Sequence, residues 1–87
     1  MALHIPIPAN TYVDLYAESS INVGTPILVK FIGGGEVKLF SHASQPTSLE
    51  NYDILDSASE PLANTSSDLG AWAYSVGIKS IVSVEVL

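Results

Sequence analysis

The segment from Pro26 to Phe40 constrains the fold of this chain more than any other part of it. Two β-forming runs, Ile27-Leu28-Val29-Lys30-Phe31-Ile32 and Glu36-Val37-Lys38-Leu39-Phe40, are separated only by Gly33-Gly34-Gly35. That spacing predicts a β-hairpin closed by a glycine turn with φ > 0. Side chains alternate across a strand, so Ile27, Val29 and Phe31 point one way and Leu28 and Ile32 the other. A strand that is apolar on both faces needs a covering layer on each: a second sheet on one side, and another subunit or another part of the chain on the other.

Short strands with frequent turns occupy the rest of the sequence. Pro6 and Pro8 fix φ and remove backbone donors, so residues 1–10 suit an extended arm able to reach a neighbour. Tyr12 to Ala17 alternates with period two and reads as a half-exposed strand, followed by a loop through Gly24 and Pro26. The strand returning from the glycines runs from about Glu36 to Ala43. A helix of one or two turns near Thr47 to Asn51 is the only rival element, with Ser48 as its cap. Residues 56–68 form the longest polar stretch, an exposed loop that can hold a short edge strand. Gly70 to Val76 places Trp72, Tyr74 and Val76 on one face and alanines on the other; Ile78 to Leu87 alternates with Ile78, Val82, Val84 and Val86 inward. The expected fold is all-β, a small antiparallel β-sandwich or barrel of five to seven short strands, with an arm over 1–10 and one domain over 11–87.

At 87 residues without cysteine, a single core gives marginal stability and no disulfide or thiolate metal site can add to it. Charged residues are only 14% of the chain, against 47% hydrophobic. Some surface is therefore expected to be buried against a partner. The net charge is -6, and Lys30, Lys38 and Lys79 are the only cations. Three scattered lysines cannot build the patch that counterion release requires, which argues against nucleic acid as a partner. No apolar run approaches membrane-spanning length, and the first eight residues lack a signal peptide's basic start, so no membrane association is expected.

Reactive constellations are weak throughout. His4 and His42 have neither metal-ligand spacing nor a nucleophile elbow nearby, although His42, beside Phe40 and Lys38, could make an interface pH-sensitive. Asp53, Asp56, Glu60 and Asp68 could in principle gather around Ca²⁺, but their spacing is not that of an EF-hand loop. Gly33-Gly34-Gly35 lies between strands, unlike a phosphate-cradling loop that opens a helix. Asn64-Thr65-Ser66 matches the glycosylation tripeptide. Tyr12, Tyr16, Tyr52, Trp72 and Tyr74 could stack on a sugar, yet packing and interface anchoring explain them more economically. No catalytic residue, metal or cofactor is assigned, and no enzymatic activity is expected.

Thr11-Tyr12-Val13-Asp14-Leu15-Tyr16, Val23-Gly24-Thr25-Pro26-Ile27-Leu28-Val29, Val37-Lys38-Leu39-Phe40 with Ala43-Ser44-Gln45-Pro46-Thr47, and Gly70-Ala71-Trp72-Ala73-Tyr74-Ser75 together resemble small β-rich structural accessory proteins of tailed bacteriophages, of the head-decoration or tail-associated kind. The resemblance implies a virion protein made in the host cytoplasm, self-associating and favouring a trimer, that attaches to a capsid or tail protein and stabilises it. It transfers no site residue. From the apolar patterning, Leu3, Ile5 and Ile7 of the arm, with Leu28, Ile32 and Phe40, are expected at the oligomer or partner interface. The alternative is a small acidic phage inhibitor that blocks a basic site on a host enzyme or defence complex, with Asp53, Asp56, Glu60 and Asp68 aligned on one face.

Overall fold

In the computed structural model, which describes residues 2–65 and 69–87, the two runs flanking the glycines lie in different sheets. Among the described residues eight strands, β1 (Leu3–Ile7), β2 (Tyr12–Asp14), β3 (Ile27–Gly33), β4 (Val37–His42), β5 (Asp53–Leu55), β6 (Leu62–Asn64), β7 (Gly70–Ser75) and β8 (Ser80–Val86), accompany one short helix, α1 (Leu15–Ser19). The first sheet has the order β1-β8-β3-β6 and the second β2-β7-β4-β5. All strand pairs are antiparallel. β1, β3, β5 and β7 each continue into a strand of the other sheet. The registers Ile7 with Ser80, Gly33 with Ile81, and Val37 with both Ser75 and Leu55 bring these four crossings to one end of the sandwich. This order and connectivity make an eight-stranded jelly roll. The expected all-β sandwich is what the chain forms.

The hairpin is replaced by an arch. β3 pairs with β6 and β8, and β4 with β5 and β7, so Gly33-Gly34-Gly35 carries the chain between sheets. Gly34 has φ 113°, and a Cβ placed there would lie 2.5 Å from the Ser80 Cα. The corner is thus pressed against the start of β8, and the Gly35 N–H donates to Ser80 Oγ at 3.0 Å. This arrangement also explains the two-faced pattern. Ile27 and Val29 are buried among Val82, Val84 and the rest of the inter-sheet core, with Phe31 packed against it. Leu28 and Lys30 take the outer face, and a register shift between Phe31 and Gly33 accommodates Ile32.

The N-terminal segment is extended, but its middle is an edge strand rather than a free arm. Leu3–Ile7 pairs with β8, with Ile5 opposite Val82 and Ile7 opposite Ser80. Both isoleucines are buried in the core. Pro6 is tolerated because an edge strand has one side without ladder bonds. The strand expected over Tyr12 to Ala17 stops at Asp14, whose Oδ1 accepts from the Tyr16 N–H at 3.1 Å and the Ala17 N–H at 3.2 Å. That cap starts α1, and Ser20 ends it in the left-handed region. Removing the cap with Asp14→Ala should cost about 1 kcal/mol in a urea melt, whereas Asp14→Asn, which keeps an acceptor, should cost less. The rival helix near Thr47 to Asn51 does not form. Leu49 is exposed there and buries no apolar stripe, and so short a helix is not stable without tertiary packing.

Hydroxyl and amide groups close both ends of the sandwich. Near the arches, Ser75 Oγ and Ser80 Oγ share a hydrogen bond, and Ser75 Oγ also donates to the Ile78 carbonyl. At the opposite end, Tyr16 of α1 donates to the Thr25 carbonyl at 2.8 Å, Asn64 Nδ2 donates to Tyr16 Oη at 2.9 Å, and Ser41 Oγ donates to Asn64 Oδ1 at 3.0 Å. Asn64 belongs to the first sheet and Ser41 to the second, so this network ties both sheets to the helix.

Candidate functional site

Three surface regions stand out once the core is accounted for. The first is the outer face of the second sheet. Ala71 and Ala73 face the core, which turns Trp72 and Tyr74 outward on β7. Tyr12 lies opposite Tyr74, and Asp14 opposite Trp72; Lys38 and Phe40 oppose the same two aromatics from the other side. Ring centroids lie 4.9 Å apart for Tyr12 and Tyr74, 5.6 Å for Tyr12 and Phe40, and 5.9 Å for Phe40 and Tyr52. Every aromatic residue except Tyr16 and Phe31 therefore gathers outside the inter-sheet core. Lys38 Nζ sits 3.7 Å from the Tyr52 ring centroid and 3.5 Å from Glu36 Oε1. The Tyr52 side chain, and then the Glu36 carboxylate, hold this ammonium above lysine's ordinary pKa despite the lowering effect of desolvation. Tyr12, Tyr74, Phe40 and Tyr52 pack on one another with Phe40 only 1% exposed, whereas the buried Trp72 indole N–H has no acceptor among the described residues.

The second region is the end of the sandwich that carries the arches. Ile32 and Val76 are each 43% exposed and Ile78 is 53% exposed. Val76 N–H donates to the Glu36 carbonyl at 3.1 Å, and a Cβ on Gly35 would lie 2.9 Å from Ile78 Cγ1, so the crossing from β7 to β8 packs against the crossing from β3 to β4. Exposed Lys79 follows Ile78 on the same crossing.

The third region is an open groove of about 510 Å³ beside the crossing from β1 to β2. Pro6, Pro8, Tyr12 and Val13 give it apolar walls, and Asp14 and Glu18 supply two carboxylates. Only Oδ1 of Asp14 is engaged in capping. Asn10 lies between groove and arch: its Oδ1 accepts from the Gly77 N–H at 3.0 Å.

The residues expected at an interface are dispersed. Ile5, Ile7 and Phe40 are covered by their own chain, because alternation turns the two isoleucines into the core and Phe40 under the aromatic cluster. Leu3 is 46% exposed and sits opposite Val84, toward the end away from the arches, while Ile32 lies beside them. Leu28 is half-buried on the outer face of the first sheet, opposite Glu85 and Ala63. Since β1 lies in the plane of that sheet, at its edge, Leu28 and Ile32 are not beneath an arm. Val76 and Ile78 were missed as surface residues. Their signal is Gly77 between them, which has φ 78° and turns the chain between sheets, so the alternation expected for Ile78 breaks there.

Among the described residues no three His, Asp or Glu side chains gather so as to hold a metal ion. Asp56 is committed to its own turn, accepting from Ser59 Oγ at 3.0 Å and the Ala58 N–H at 2.9 Å; Asp68 lies outside the described residues. Asn64 of the glycosylation tripeptide is 5% exposed, and its amide is engaged in the network with Tyr16. Comparison with protein-family models, with curated proteins and with solved structures found no match for the chain.

Proposed function

We propose that this chain is a structural subunit of a tailed-bacteriophage virion, a self-associating sandwich that attaches to a head or tail surface and stabilises it. The observation that carries this reading is exposed apolar surface: Ile32, Val76 and Ile78 gather at the arch end, while Leu3, Val86 and Leu87 lie exposed at the opposite end. One chain closes its own core, so Ile32, Val76 and Ile78 are exposed without contributing to it, and grouped exposed apolar side chains on a small protein mark contact surfaces. Fold-level analogy points the same way, since double-sheet jelly rolls recur in viral capsid proteins, although they also serve lectins and cupins. The inhibitor reading rests on charge alone and is weakened by the turn-forming role of Asp56.

Mass spectrometry of gradient-purified virions, with isotope-labelled peptides of this chain as standards, tests the proposal. Many copies per particle, retained through a high-salt wash, are expected because an apolar contact is little screened. Absence from washed particles, with the chain instead bound to a host protein and released by salt, would replace this reading with the inhibitor.

A further inference from the structure

We propose that the groove beside the crossing from β1 to β2 receives the crossing from β7 to β8 of a second copy, so that two subunits join about a two-fold axis. This inference rests on the self-association reading and names its contact. The groove offers apolar walls from Pro6, Pro8, Tyr12 and Val13, with carboxylates of Asp14 and Glu18 among them. The arch offers the matching set: exposed Val76 and Ile78 followed by exposed Lys79.

Charge complementarity selects this occupant. Lys79 is one of only three cations in the chain. Lys38 is already paired with Glu36 beneath Tyr52, and Lys30 lies on the strand face opposite Ser83. Lys79 alone stands on an exposed crossing, next to apolar side chains whose burial would desolvate its contact with the groove carboxylates and strengthen it. Asp14 keeps Oδ2 for that contact, since both of its capping bonds use Oδ1.

Placement selects the symmetry. The hydrogen bond from the Gly77 N–H to Asn10 Oδ1 holds this exposed crossing next to the segment that leads into the groove. Knob and groove are therefore neighbours on one surface. A two-fold axis between them lets each subunit's arch enter the other's groove, the reciprocal contact of an isologous dimer. A ring of three would instead need knob and groove on faces turned well apart.

Light scattering coupled to size exclusion, applied to the full chain and to Glu18→Lys, Lys79→Glu and the double exchange, tests this inference; circular dichroism confirms that each variant is folded. The wild type is expected to be a dimer, each single variant to dissociate at least tenfold more readily, and the double exchange to recover the dimer. Glu18→Gln, which removes the charge without reversing it, should give an intermediate loss. A wild-type dimer indifferent to both single variants, or a double exchange that fails to recover, would overturn the contact while leaving self-association standing. A wild-type trimer would overturn the two-fold arrangement. A wild-type monomer at every concentration would overturn both the contact and the self-association on which it rests.

Discussion

Gly34→Ala is expected to lower the stability of the fold by roughly 3 kcal/mol or more, since a Cβ there meets closer contacts than at Gly33, Gly35, Gly70 or Gly77. Two costs coincide at that position. The backbone has φ 113°, a conformation that side-chain-bearing residues rarely adopt, and the new Cβ would meet Ser80 Cα and Oγ at 2.5 Å and the Lys79 carbonyl at 2.6 Å. Two of those atoms belong to the backbone of the neighbouring crossing, so no rotamer change relieves the clash. Gly33→Ala is the control: an added Cβ there meets nothing within 4 Å, and its cost should be a small fraction of that at Gly34. Urea denaturation of both variants beside the wild type measures the difference. For a domain of this length a total stability of about 4 to 13 kcal/mol is usual, so Gly34→Ala can leave a substantial part of the population unfolded. Equal midpoints for the two variants would contradict the arch.

Asn64→Leu is expected to cost about 2 to 4 kcal/mol, even though it adds apolar surface to a buried site. Asn64 donates to Tyr16 Oη and to the Leu69 carbonyl at 3.3 Å, and accepts from Ser41 Oγ. Leucine would leave these groups without their Asn64 partner at the end of the sandwich, and each unsatisfied buried group costs about 1 to 3 kcal/mol. Ser41→Ala removes one partner while leaving the Tyr16 bond intact and should cost less. A double-mutant cycle between Asn64 and Ser41 reads their coupling directly. Simple additivity of the two losses would show that the bond between the sheets contributes nothing of its own.

The two-sheet class is legible in the sequence because the alternation is strong where strands are longest. Val82 and Val84 on β8 and Ile27 and Val29 on β3 all turn inward as their period requires. Misreadings arose where the chain changes sheet. Residues flanking a short glycine turn look the same whether the turn closes a hairpin or spans a sandwich, because both need φ > 0; the difference lies in long-range pairing with β8 and β7, which local pattern does not encode. For the same reason Ile5 and Ile7, in a proline-bearing segment that reads as an arm, are core residues. Asp14 carries a local signal that alternation overrode, a capping residue followed by a helix start. The surface was least legible. The outward aromatic set became visible only when Ala71 and Ala73 proved to be the core-facing side of β7, and the groove only when α1 was placed beside β1.

Self-association through the arch end is the claim from which the structural role follows, and sedimentation velocity of the purified full chain over a wide concentration series tests it most directly. The expected result is a reversible shift from the monomer's mass toward twice that mass as concentration rises, abolished by Ile78→Asp at a half-exposed position, with circular dichroism showing that the variant is folded. A single species of monomer mass across the whole series, in wild type and variant alike, would contradict it.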